Sequence, residues 1–192
     1  TGNIRLVSNT ILSNTYKKVI GDFTAKFAGA KHIMYDGVSY SALLDANQQS
    51  FGKRVIPHFD FEAAMTIVSF NADFLGTWVA PQEFTKAYAV NRRINDHTNA
   101  KMSRHYQVES GMSLTGSNAD HRILVKPSEQ GAAIANLYNE VAALTGGTKV
   151  SAPKVNDAAM ATLRIAAKEL VANKGKSLVV SGSNNTSEQI LV

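Results

Sequence analysis

Short, nearly all-apolar runs recur along this chain, and the segments between them carry helical spacing. Thr66-Ile67-Val68-Ser69-Phe70 and Ser177-Leu178-Val179-Val180-Ser181 place apolar residues at consecutive positions. A strand that is apolar on both faces has to be covered on both faces, which is the environment of a parallel sheet between helical layers. The runs Ile4-Arg5-Leu6-Val7-Ser8, His32-Ile33-Met34-Tyr35 and Ile123-Leu124-Val125 read as further strands, and residues 103–110 alternate loosely enough to make another. Between them, Tyr16, Val19, Ile20, Phe23 and Phe27 fall on one helical face, with Gly29 as the stop. Tyr40, Leu43, Leu44 and Phe51 mark a second helix closed by Gly52, and residues 60–64 read as a single helical turn.

Pro81 suits the first position of a helix carrying Phe84, Tyr88 and Ile94. Ser128 is the expected cap of a strong helix through Ile134, Leu137, Val141 and Leu144. A last long helix starts at Asn156 or Asp157 and runs through Met160, Leu163, Ala167 and Leu170. Strand–helix alternation of this kind predicts an α/β fold, a Rossmann-like three-layer sandwich with a mainly parallel sheet. All 192 residues are expected to form one such domain. The chain stops one turn into an apparent helix, Thr186-Ser187-Glu188-Gln189, a capping-box pattern, so an excerpt of a larger protein is expected.

Several chemistries lack their carriers. There is no cysteine, which removes thiolate zinc sites, cysteine nucleophiles and cluster ligands from these residues. No G-x-G-x-x-G follows the first strand, no P-loop is present, and no Ser sits in a G-x-S-x-G elbow. The five histidines, His32, His58, His97, His105 and His121, have no metal-ligand spacing. The net charge of +5 is spread over dispersed Lys and Arg, so nucleic acid is not an expected partner. No apolar run approaches the roughly 20 residues of a membrane-spanning helix, and the first residues lack the pattern of a secretory leader.

In doubly wound sheets ligands bind beyond the carboxyl ends of the strands. The loops of interest are therefore 8–14, 36–39, 71–78, 114–120 and 182–185. Asp73, Glu109 and Asp120 lie near strand ends. Such carboxylates either do acid–base work or cap backbone N–H groups and hold loops. Trp78, the lone tryptophan, reads as a rim-packing anchor for the helix at Pro81, or else as a ligand or partner contact.

Residues 66–78 end in Ala-Asp-Phe-Leu-Gly-Thr-Trp, and the passage resembles the strand–loop segment of molybdopterin oxidoreductases, the dimethyl-sulfoxide-reductase superfamily. Within it, this version is similar to the iron–sulfur, molybdopterin-like B subunit of alternative complex III, a hydrogenase-component-like branch. Residues 109–122 (Glu-Ser-Gly-Met-Ser-Leu-Thr-Gly-Ser-Asn-Ala-Asp-His-Arg) resemble that branch's E-S-x-x-S-L-T-G-S-N-A-D-x-R. Lys126-Pro127-Ser128-Glu129-Gln130 stands where active members read R-P-G-T-D, and residues 180–184 resemble a later strand-and-glycine segment.

The resemblance implies one wall of a pocket for a molybdopterin guanine dinucleotide. By position, its loops would supply Ser8, Asn9, Thr10, Asn71, Asp73 and Gln130. Gln130 replaces the carboxylate that recognises guanine, which removes charge-assisted pairing with the base. Ala72-Asp73 replaces the family's Asn-Pro. The resemblance thus implies a vestigial pocket without catalytic or metal-ligating residues. The expected role is a scaffold domain of a respiratory iron–sulfur oxidoreductase subunit. Its iron–sulfur clusters would lie elsewhere in an exported, membrane-associated parent, and its partners would be other domains and subunits. The alternative is a domain of an active molybdopterin enzyme that binds the guanine dinucleotide end.

Overall fold

The computed structural model describes residues 3–94, 98 and 100–192. The chain divides into two compact units, Thr1–Tyr40 and Ser41–Val192. The first is a β–α–β unit: β1 (Arg5–Ser8), α1 (Asn14–Lys26) and β2 (Lys31–Met34). Its strands pair in parallel, with Leu6 opposite His32 and Ser8 opposite Met34. Ser13 caps α1 by accepting the Tyr16 N–H, which satisfies one of the orphan donors of the first turn. The face expected to be apolar is present, but no residue of α1 is buried, and Tyr16 and Val19 are exposed.

The second unit holds α2 (Ser41–Phe51), β3 (Thr66–Phe70), α3 (Pro81–Val90), β4 (Arg104–Glu109), α4 (Leu114–Ser117) and β5 (His121–Leu124). After these come α5 (Gln130–Thr145), α6 (Asp157–Ala172), β6 (Ser177–Ser181) and α7 (Thr186–Leu191). The four strands form a parallel sheet in the order β5-β4-β3-β6. The chain steps outward from β3 to β4 to β5, then returns to the far side of β3. Right-handed crossovers running in opposite directions put their helices on opposite faces. Accordingly α5 and α6 cover one face and α3 the other, a Rossmann-like three-layer sandwich.

All five residues of β3 are buried, as its apolar run requires. Val68, Phe70, Tyr106, Val108 and Ile123 meet Ile134, Leu137, Leu163 and Leu170 on the α5/α6 face. Burying a Leu or Ile of this kind contributes about 2–3 kcal/mol. Ala166 and Ala167 are fully buried beside Leu163, and their small side chains let α6 approach the sheet. On the other face, Phe61, Phe74, Phe84 and Tyr88 form an aromatic layer; Phe61 and Phe74 stack at 4.3 Å.

Some boundaries differ from the sequence reading. Ser128 is not the cap of α5; Pro127–Glu129 forms a 3₁₀ turn that leads into Gln130. Asn185, not Thr186, caps α7, its side chain accepting the Ser187 and Glu188 N–H groups. Residues 60–64 make a turn rather than a helix, with Asp60 accepting the Ala63 N–H. Helix α3 stops at Val90, so Ile94 lies beyond it. Among the described residues, no helix is long and apolar enough to cross a membrane.

Candidate functional site

The carboxyl ends of β3, β4 and β5 lie side by side, and their loops hold most of the polar residues singled out in the sequence. Asp73 follows β3 by three residues. Its Oδ1 accepts the Thr115 N–H at 3.1 Å and the Thr115 hydroxyl at 2.8 Å. Thr115 Oγ1 in turn accepts the Leu75 N–H at 2.9 Å. Asp73 also accepts the Thr77 hydroxyl, and its backbone carbonyl takes the Gly76, Thr77 and Trp78 N–H groups. The carboxylate therefore ties loop 71–78 to α4, a four-residue helix that sequence periodicity cannot reveal. An added Cβ at Gly76 would lie 2.2 Å from Asp73 Oδ2, so glycine is required there for space.

Trp78 is buried, 4.9 Å from Phe59 and 5.9 Å from Phe84 in the first turn of α3. It is the rim anchor of the expectation. Asn71 has a left-handed backbone (φ 51), which asparagine tolerates better than most residues. Gly182, just past β6, donates its N–H to Phe70 O at 2.8 Å, and a Cβ there would lie 2.4 Å from Asn71 O. At the point where the strand order reverses, the two loops thus lie backbone against backbone.

Glu109 and Asp120 are engaged as well. Asp120 takes both guanidinium arms of Arg92 at 2.7 and 2.9 Å and the His105 N–H at 2.8 Å. Burial pushes its carboxyl up, but Arg92 and the His105 N–H outweigh that and hold it below the ordinary range. Glu109 accepts Arg122 Nε at 2.6 Å, the Ser113 hydroxyl at 2.6 Å and Gln107 Nε2 at 3.3 Å. Burial pushes its carboxyl up too, and Arg122 with Ser113 and Gln107 brings it below the usual carboxylate value.

The sequence reading missed the polar row to which Glu109 belongs. His105, Gln107 and Glu109 recur at every second position of β4, so they share one face of the strand. All three are buried. Gln107 donates to Glu109, so its carbonyl oxygen faces His105 Nε2 at 3.3 Å, and that nitrogen carries the proton. Nδ1 is left as an acceptor facing Tyr88 Oη at 3.2 Å, a hydroxyl whose proton is shared with Asn118 O, also at 3.2 Å. The His105 ring is neutral, its pKa pushed down to about 4, mainly by burial and also by nearby Arg92. Burial pushes the Tyr88 phenol up to about 12, so it stays a donor. The signal for this row was the period-2 spacing of His-x-Gln-x-Glu, with Tyr106 and Val108 on the opposite face.

In the first unit, Ser8 Oγ donates to Asn9 O at 2.7 Å and lies 2.8 Å from His32 Nε2. Asp36 accepts both the backbone N–H and the hydroxyl of Thr10, which hold its carboxyl below the ordinary range. In the second unit, Gln130 stands half-buried at the start of α5. Just before it, Ser110, Leu124, Lys126, Glu129 and Asn156 line an open hollow of about 460 Å³.

Asp73 has its carboxylate already used, Asn71 on the same loop is exposed, and Gln130 follows Glu129 of the hollow without lining it. The residues therefore fit a guanine dinucleotide only in part: the hollow at Lys126 and Glu129 has room for a base edge but does not include Gln130, and the loop after β3 offers no spare carboxylate. Among the described residues, no group of three or more His, Asp or Glu is placed to hold a metal ion. His97, one of the five histidines, lies outside the described residues.

No family model matches the chain, and no curated protein matches it.

Proposed function

We propose that this chain is a scaffold domain of a respiratory iron–sulfur oxidoreductase subunit, of the quinol-oxidising alternative complex III type, without a redox centre of its own. One observation carries the reading. The two segments that resemble that branch, residues 66–78 and 109–122, are hydrogen-bonded to each other through Asp73, Thr115 and Leu75. Asp73 and Thr115 are thus spent on holding the loops together. Asp73, Glu109 and Asp120 each have protein partners that satisfy the carboxylate. In this reading the clusters and haems that carry electrons belong to other parts of a membrane-associated, periplasmic complex, and the domain contributes packing surface to its neighbours.

The second reading is a domain that binds the nucleotide end of a molybdopterin guanine dinucleotide. The open hollow lined by Ser110, Lys126, Glu129 and Asn156 favours it. Elemental and pterin analysis of the protein isolated from its native source separates the two. Iron without molybdenum, tungsten or pterin, in a membrane-associated complex, is the expected result. Stoichiometric molybdenum or tungsten with pterin would overturn the scaffold reading in favour of the second. A protein with neither iron nor pterin, free of any complex, would overturn both.

A further inference from the structure

The aromatic layer between α3 and the sheet runs from the rim to the interior. Trp78, 7% exposed, is its outer end, and its ring lies 5.9 Å from that of Phe84. Phe84 is 5.0 Å from Phe61, Phe61 is 4.3 Å from Phe74, and Phe74 is 5.5 Å from Tyr88. Phe84 and Tyr88 also follow one another at i, i+4 on α3, so they are neighbours on one helix face. Trp78 and Tyr88 are thus joined by a single intervening ring. Indole and phenol give up an electron far more readily than the phenylalanines between them.

Loss of an electron turns a phenol into a strong acid, so a buried tyrosine is oxidised only where a base takes its proton. The Tyr88 hydroxyl shares its proton between His105 Nδ1 and Asn118 O, each at 3.2 Å. A backbone carbonyl does not take a proton outright, whereas the neutral imidazole does. Arg92 stands over the Tyr88 ring, 5.5 Å from its centroid. That charge disfavours a radical cation on the ring, so electron and proton have to leave together. The imidazolium so formed keeps both of its donors paired, Nδ1–H with the phenoxyl oxygen and Nε2–H with Gln107 Oε1. Asp120 and Glu109 favour it, while burial and Arg92 oppose it and hold the pKa down to about 4. The proton therefore returns once the phenoxyl regains an electron.

We infer that Tyr88 and His105 form a proton-coupled redox pair, which refills an electron hole made at Trp78 by a one-electron oxidant outside the chain. The oxidant, an oxidised metal complex, takes one electron from the indole and is itself reduced. One electron then passes from Tyr88 to the indole radical cation, and the phenolic proton passes to His105 Nδ1. The Oη–H bond breaks and an Nδ1–H bond forms. Trp78 is restored, and a neutral phenoxyl radical and an imidazolium remain. The pair is made of side chains, whereas the reading proposed above concerns bound cofactors, so neither depends on the other.

The test is flash photolysis of the whole 192-residue chain, with a ruthenium polypyridyl complex as photo-oxidant and methyl viologen as its electron acceptor. Trp78 is the lone tryptophan, so the indole radical absorption reports on it alone. In the original chain this absorption is expected to decay as a phenoxyl absorption grows, and to do so more slowly in heavy water. Tyr88→Phe and His105→Gln should each lengthen the life of the indole radical at least about tenfold, since each removes one partner of the proton transfer. Tyr106→Phe, on the opposite face of β4, should leave that lifetime unchanged.

If Tyr88→Phe fails to fold, difluorotyrosine placed at Tyr88 decides, because its fluorine hyperfine coupling must appear in the electron paramagnetic resonance spectrum of the trapped radical. An indole radical as short-lived in either variant as in the original chain would overturn the inference. So would decay without phenoxyl growth, a rate indifferent to heavy water, a lengthened life in Tyr106→Phe, or a trapped radical without the fluorine coupling.

Discussion

His105 turns a buried neutral ring into a measurable pH dependence. Its pKa is pushed from 6.5 down to about 4 in the folded chain, chiefly because burial disfavours the imidazolium, with Arg92 adding repulsion and Asp120 and Glu109 opposing. The unfolded chain therefore takes up a proton as pH falls through about 6.5, while the folded chain does not until about 4. The folded state thus loses stability as pH falls between those values. The full loss is about 3 kcal/mol, reached below both values. Between pH 7.5 and pH 5 it amounts to about 2 kcal/mol. The depressed carboxylates Glu109 and Asp120 lose their contribution only at lower pH, through their folded values, so this window isolates His105. Urea unfolding at the two pH values, on the original chain and on His105→Gln, measures the difference. The original chain should lose about 2 kcal/mol and His105→Gln well under half of that. If both lose the same amount, the ring is not held neutral by burial and the assigned tautomer falls with it.

Three substitutions probe the loops. Trp78→Ala removes a buried ring packed on Phe59 and Phe84 and should cost about 3–5 kcal/mol in a thermal or urea melt; an unchanged melt would make the ring a partner contact instead. Glu109→Ala leaves the Arg122 charge without its partner and should cost about 3–5 kcal/mol, whereas Glu109→Gln, which keeps the Ser113 and Gln107 contacts, should cost less. Gly182→Ala drives a Cβ to 2.4 Å from Asn71 O, so the loops must part; a loss of about 1–3 kcal/mol is expected, and a neutral result would show that the contact is loose.

How much of this was legible depended on which force set each element. Strands β3 and β6 were readable to the residue, because consecutive apolar side chains need cover on both faces and the polar neighbours do not. The start of α6 was readable because Asn156 caps it locally, accepting the Ala159 N–H at 2.8 Å. Helix α4 was not, since no periodicity exists in four residues. Its cap Ser113 accepts the Gly116 N–H locally, but Asp73 lies 42 residues away. The buried polar row on β4 was hidden because hydrophobicity assigns polar residues to the outside. His105, Gln107 and Glu109 are inside only because each satisfies the next. The positions of Asp73 and Trp78 were readable from the turn-and-Pro context, whereas the partners of Asp73 were not.

The bond from Thr115 to Asp73 also bears on the order in which the chain acquires structure. A helix of one turn has no stability alone, since nucleation fixes several residues for a single hydrogen bond. Helix α4 gains its second support only when β3 and β4 are already side by side, which brings Asp73 under Thr115. It is therefore expected to form late, with the docking of the sheet rather than before it. Its amides become a clock for that event: Thr115 and Gly116 should gain protection from exchange in the same phase as β4, and none earlier.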